Sequence, residues 1–133
     1  QLRVGLCDSA TTDCPDGIYF EYDDAASTNW RFGTSSNNTR TENTNTAAGC
    51  GAGGSAVAVA TGWTALKIVV NSAATQVDFY VNGTFVGCNT ANIPTGTSRV
   101  ANPMFQLVKS VGATQRDVLI DYFTMYNNFT SVR

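Results

Sequence analysis

The chain is 133 residues long, 14% charged, with a net charge of −2, so it is read as one domain spanning 1–133 with no basic surface for nucleic acid. It contains no histidine, which removes the commonest general base, transition-metal ligand and triad partner. No window approaches the roughly 18 consecutive apolar residues of a membrane-spanning helix, so no membrane partner is expected.

Thr, Asn and Ser together supply 39 residues in place of charge, and Val outnumbers Leu 13 to 5, a bias toward pleated sheet. Gln1–Cys7 alternates Leu2, Val4 and Leu6 with polar or small neighbours. Asp16–Tyr22 sets Ile18, Phe20 and Tyr22 against Tyr19 and Glu21, and Asn29–Gly33 puts Trp30 and Phe32 on one side and Arg31 on the other. This period of two marks half-buried antiparallel strands. Asn37–Thr46 is polar on both faces but rich in Thr, and reads as an exposed edge strand or long hairpin. Ala48–Ser55 is a Gly-rich loop, followed by strands at Ala56–Ala60 and Ala65–Asn71 around a turn at Thr61-Gly62-Trp63. Asn82-Gly83 between two apolar runs in Gln76–Val86 is the strongest hairpin signal, since a type I′ turn needs positive φ at both central residues. Ser98–Ser110 and Arg116–Tyr126 complete about ten short strands, and no stretch carries helical periodicity. The expected fold class is an all-β antiparallel sandwich or barrel.

Cys7, Cys14, Cys50 and Cys88 form an even set. The shortest closure joins Cys7 to Cys14 across a turn-rich loop and leaves Cys50 for Cys88. Free thiols or a metal site are the competing readings, and the set has neither a close Cys-x-x-Cys pair nor a histidine. Two disulfides imply an oxidising compartment: extracellular or on a virion surface.

The series Val4-Gly5-Leu6, Asp16-Gly17-Ile18-Tyr19-Phe20-Glu21-Tyr22, Asn29-Trp30 and Ala65-Leu66-Lys67-Ile68 resembles laminin-G-like, concanavalin A-like jelly rolls. Val77-Asp78-Phe79-Tyr80-Val81-Asn82-Gly83, Asn92-Ile93-Pro94, Lys109 and Ile120-Asp121-Tyr122-Phe123 continue the resemblance, which covers nearly the whole chain. It implies a jelly-roll sandwich of the kind found in bacteriophage virion proteins, in capsid decorations, fibres and tail-associated modules. Such domains usually run to about 150–200 residues, with strands before the stretch that matches Arg3–Leu6. The chain opens on Gln1 rather than Met and reads as a processed product, an excised domain or the ordered part of a longer chain; because it begins where the match begins, the resemblance implies that preceding strands lie in an unseen segment or come from another chain. Self-association, or contact with neighbouring virion or filament subunits that complete the sheet, follows from that expectation.

The laminarinase-type glucanases of this fold carry Glu-x-Asp-x-x-Glu on one strand, because glycoside hydrolysis needs two facing carboxyl groups. Here Glu21-Tyr22-Asp23-Asp24-Ala25-Ala26 places Ala26 where the second Glu belongs, and the only other Glu is Glu42. A non-enzymatic structural or surface module is therefore expected, with no catalytic residues. The alternative is a lectin-like adhesion module, with Tyr19, Trp30, Trp63 and Tyr80 as aromatic platforms and Asp23, Asn29 and Asn37 as polar contacts for a glycan. Those aromatics have an equally direct reading as core and cross-strand packing. No cofactor is called for. The weak calcium candidates are Asp8, Asp13, Asp16, Asp23 and Asp24, residues that also cap turns. N-glycosylation sequons fall at Asn37, Asn82 and Asn128.

Overall fold

The structure, a computed structural model, describes residues 1–9, 13–44, 50, 53–96, 101–109 and 112–126. The described residues form eight strands and no helix: β1 (Leu2–Cys7), β2 (Gly17–Tyr22), β3 (Arg31–Ser36), β4 (Thr39–Asn43), β5 (Leu66–Val70), β6 (Val77–Val81), β7 (Thr84–Asn89) and β8 (Asn102–Leu107). All pairings are antiparallel. One sheet has the order β4-β3-β2-β1-β8 and the other β5-β6-β7. The all-β antiparallel expectation holds, two facing sheets mark a sandwich rather than a barrel, and the described residues hold eight strands where about ten are expected. Ala56–Ala60, expected as a strand, makes a single bridge, Asn29 to Ala58, with Trp30 N–H donating to the Val57 carbonyl and Val59 N–H to the Thr28 carbonyl. Arg116–Tyr126, expected as a strand, joins no ladder among the described residues.

Turn chemistry places the strands. Asn82 and Gly83 have φ of 50° and 80°, the doubly positive turn expected between β6 and β7. The β3–β4 hairpin turns on Asn37 and Asn38, with φ of 51° and 63°, values that Asn tolerates better than other non-glycine residues. The polar run expected over Asn37–Thr46 is, in its described part to residue 44, a turn followed by the edge strand β4; its last two residues lie outside the described residues.

The core lies between the sheets. Ile18, Phe20 and Phe32 come from the large sheet, Val77, Phe79, Val81 and Val86 from the small one, and Trp30 packs beside them. Phe79 is the hinge pin: its ring stacks on Phe32 at 4.7 Å and meets Phe20 edge-on at 5.3 Å. At the β4 end the sheets are joined by amides instead. Asn89 of β7 donates to Thr34 Oγ1 at 3.1 Å and to the Thr41 carbonyl at 3.0 Å, and accepts from Asn43 Nδ2 at 2.8 Å. This explains one polar face of β4: it clamps β7.

Coverage of the inner face is uneven. Register aligns Phe32, Phe20, Val4 and Phe105 in one row across β3, β2, β1 and β8. The first two are fully buried, Val4 is half-buried, and Phe105 is 40% exposed. Burial fails where the three-stranded sheet runs out.

Candidate functional site

The outer face of the large sheet carries the most unusual chemistry. Residues that alternate away from the core fall there in cross-strand rows: Arg3, Glu21 and Arg31 in one, Gly5, Tyr19, Gly33 and Glu42 in the next, Ser35 and Arg40 in a third. Arg3 Nε donates to Glu21 Oε2 at 2.6 Å, and Arg31 Nη1 to Glu21 Oε1 at 2.7 Å. Arg31 Nη2 continues to Glu42 Oε2 at 2.6 Å, and Arg40 Nη1 lies 3.7 Å from Glu42 Oε1. Arg40 Nη2 then reaches Asp13 Oδ2 at 3.2 Å, and Asp13 Oδ1 returns to Arg3 Nη1 at 2.6 Å. Three guanidinium and three carboxylate groups thereby close a ring of alternating charge.

Tyr19 lies within this ring with no exposure. Its hydroxyl donates to Glu42 Oε1 at 2.7 Å, and the Arg3 guanidinium carbon stands 5.3 Å from its ring centroid, within cation–π range. The ring needs bare backbone beneath it: a Cβ on Gly33 would stand 2.7 Å from Tyr19 Cζ. A second small cluster of Cys7, Cys14 and Met104 packs against Tyr19. The Cys7–Cys14 bridge, with Cα atoms 5.7 Å apart, holds the loop that delivers Asp13.

Glu21 is 1% exposed and Arg3 3%. Both Glu21 oxygens are engaged, since Gln1 Nε2 also donates to Oε2 at 2.8 Å. The burial of two opposite charges is tolerable here because each has several charge-assisted hydrogen bonds. Desolvation and the hydrogen bond to Glu42 raise the Tyr19 phenol far above the usual value of 10.0. A raised acid of this kind contributes stability that is complete below the unfolded-state value and is lost as pH rises beyond it. Tyr19, one of five tyrosines, should therefore ionise only as the chain unfolds above about pH 10. Absorbance near 295 nm followed together with circular dichroism checks this, and reversible titration of all five phenols in the folded chain would refute it.

The remaining sequence candidates scatter. Tyr19 and Trp30 (5% exposed) offer no ring face to a ligand, because one is sealed under the charge ring and the other belongs to the core. Trp63 is 71% exposed in the turn before β5. Tyr80 is half-buried on the outer face of the small sheet, 5.5 Å from the Phe85 ring, with Lys67 Nζ 5.2 Å above it. Asp23 and Asn29 lie half-buried in the loop between β2 and β3, where Asp23 Oδ1 accepts from the Ala25 amide as a turn cap. These groups form no single platform.

The calcium candidates are also engaged separately. Asp8 accepts from the Asp16 amide at 3.1 Å, Asp16 from the Asn37 amide at 2.9 Å, and Asp13 pairs with two arginines. Asp24 is exposed in the turn after β2. Among the described residues the one tight group of three metal-ligand types is Cys7, Asp8 and Cys14, and its two sulfurs are bonded to each other. The second disulfide is Cys50–Cys88, so both sit as their spacing indicated. Asn37 and Asn82 are exposed at hairpin turns, with Asn82 Oδ1 accepting from the Ala65 amide at 2.8 Å. Asn128 lies outside the described residues.

Arg3, Arg31 and Arg40 were not singled out from the sequence, nor was Glu42 given a structural role. The available signal was that Arg3, Glu21 and Arg31 each alternate against apolar neighbours, which puts all three on a non-core face. Only strand order brings those faces together.

No curated protein and no solved structure matches the chain. The family model described as SO2946-like, C-terminal domain matches residues 1–121, nearly the whole sequence, and the chain belongs to that family.

Proposed function

We propose that this domain is a non-enzymatic structural module of an extracellular or virion assembly, a decoration, fibre or filament subunit with a jelly-roll topology. The carrying observation is the half-covered inner face: Phe105 and Leu107 on the edge strand β8 remain 40% and 44% exposed, whereas Phe20 of β2 and Phe32 of β3 in the same sheet are sealed. A sheet left open in this way is completed by another chain in many assemblies. Two disulfides support an oxidising location, and the engaged oxygens of Glu21 support a structural rather than catalytic carboxylate. The laminin-G-like resemblance supports the same reading.

Exposed Trp63, and Tyr80 beside Phe85 and Lys67, favour a second reading, a lectin-like adhesion module. Sedimentation velocity across a concentration series, run beside a glycan array, separates the two. Concentration-dependent association without sugar is expected. Saturable glycan binding by a monomer, lost in Trp63→Ala or Tyr80→Ala, would replace the structural reading with the adhesive one.

A further inference from the structure

The small sheet is too narrow for the large one, and its geometry says on which side. β7 lies over β3 and β4, since Asn89 bonds Thr34, Thr41 and Asn43. β5 lies over β2. The free edge of β5 therefore points across the inner faces of β1 and β8, where Leu2, Val4 and Leu6 are half-buried and Phe105 and Leu107 are exposed. Among the described residues no strand pairs with the outer edge of β5.

The chain also has an apolar segment outside its sheets. Residues 116–126 belong to no helix or strand and pair with no strand among the described residues, and Val118, Leu119, Ile120, Tyr122, Phe123, Met125 and Tyr126 are all exposed. In its own chain this segment stays at the β8 side of the strip: Phe123 meets Phe105 edge-on at 5.9 Å, and an open cleft of about 440 Å³ separates residues 116–120 from Leu2, Phe105 and Leu107. Fully open aromatic side chains present roughly 150–250 Å² each, so this segment and the strip expose on the order of 1,000 Å². A stable interface buries about 800 Å² per partner, and a monomer seldom leaves so large an apolar patch open.

We propose that residues 116–126 of one copy add as an antiparallel strand to the β5 edge of a second copy. The proposal rests on the assembly reading above and names its interface. The proposed register sets Leu66 beside Tyr122, Lys67 beside Asp121, Ile68 beside Ile120, Val69 beside Leu119 and Val70 beside Val118. It turns Val118, Ile120 and Tyr122 inward with Leu66 and Ile68, which already pack on the core. It turns Asp121 outward beside Lys67, whose ammonium group stands on the outer face over Tyr80. A one-residue slip would reverse the faces and put Asp121 inside. Reciprocal donation about a two-fold axis closes the assembly as a dimer.

Charge reversal tests the register. Lys67 is exposed, and Asp121 lies in the exposed segment, so neither Lys67→Asp nor Asp121→Lys should alter the melting temperature of the isolated fold. Each single variant is expected to weaken dimerisation at least about tenfold by sedimentation equilibrium, and the double variant Lys67→Asp/Asp121→Lys to restore it. A wild-type chain that stays monomeric at high concentration overturns both this interface and the assembly reading. Association indifferent to the charge reversals overturns the strand pairing alone.

Discussion

Glu21→Ala is expected to destabilise the fold by about 3–5 kcal/mol, the cost of stranding a buried charge whose partner has been removed. Glu21 is the acceptor shared by Arg3, Arg31 and Gln1, so its loss leaves the 3%-exposed Arg3 guanidinium with only Asp13. The isolated strength of the pair is the wrong measure, because two charges taken out of water forfeit most of what they gain from each other. The triple variant Arg3→Met/Glu21→Leu/Arg31→Met should consequently recover most of the loss. It removes the charges together and leaves Glu42 with Arg40 and Tyr19. Urea denaturation at neutral pH reads both. A cost below about 1 kcal/mol for Glu21→Ala would mean that water reaches the site and that the ring behaves as a surface network.

The same carboxylate shows how far the sequence could be read. Period-two alternation assigned β1, β2, β3 and the β6–β7 hairpin, because each has one apolar face and one polar or small face. Asn82-Gly83 fixed its turn through local φ preference. Cysteine spacing indicated both bridges, since seven residues is a short closure and the other pair then follows. What alternation cannot supply is strand order. Arg3, Glu21, Arg31 and Glu42 come from four different strands, and their convergence depends on β1-β2-β3-β4 adjacency. The polar run Asn37–Thr46 reads as an exposed edge strand or long hairpin, and the partners of β4 within it, Arg31 and Tyr19 on one face and Asn89 and Asn92 on the other, are invisible locally because they are distant in sequence. Tyr19 and Trp30 were ambiguous for a related reason. An aromatic on a strand is equally suited to a core and to a ligand, and only the surrounding packing decides. Arg116–Tyr126 has every local feature of a strand but meets no neighbour to pair with inside the described chain.

The Cys7–Cys14 bridge and the charge ring should prove to be one cooperative unit. On the chain-entropy account, closing a loop with a sequence separation of 7 contributes about 2.5 kcal/mol, and Cys7→Ala/Cys14→Ala should lose that much. The bridge has a second task. Asp13 is the ring member delivered by the loop rather than by a strand, it immediately precedes Cys14, and its side chain is 70% exposed. An exposed carboxylate holds two arginines only if its backbone is already in place, because ordering a free loop costs more than a surface ion pair returns. Asp13→Ala should cost up to about 1 kcal/mol with the bridge intact and almost nothing without it, a coupling that a double-mutant cycle in urea measures. The titration of Asp13 gives an independent reading. The hydrogen bond from Arg3, then that from Arg40, holds its carboxyl below the ordinary 3.8 despite some opposing desolvation. A depressed acid contributes stability above its unfolded value and loses it as pH falls through the folded one. That contribution should thus be present above about pH 4, fade below it, and disappear from the bridge-free variant, whose Asp13 carbon resonance should titrate near the ordinary value. If Asp13→Ala costs the same with and without the bridge, the disulfide stabilises the loop but does not build the ring.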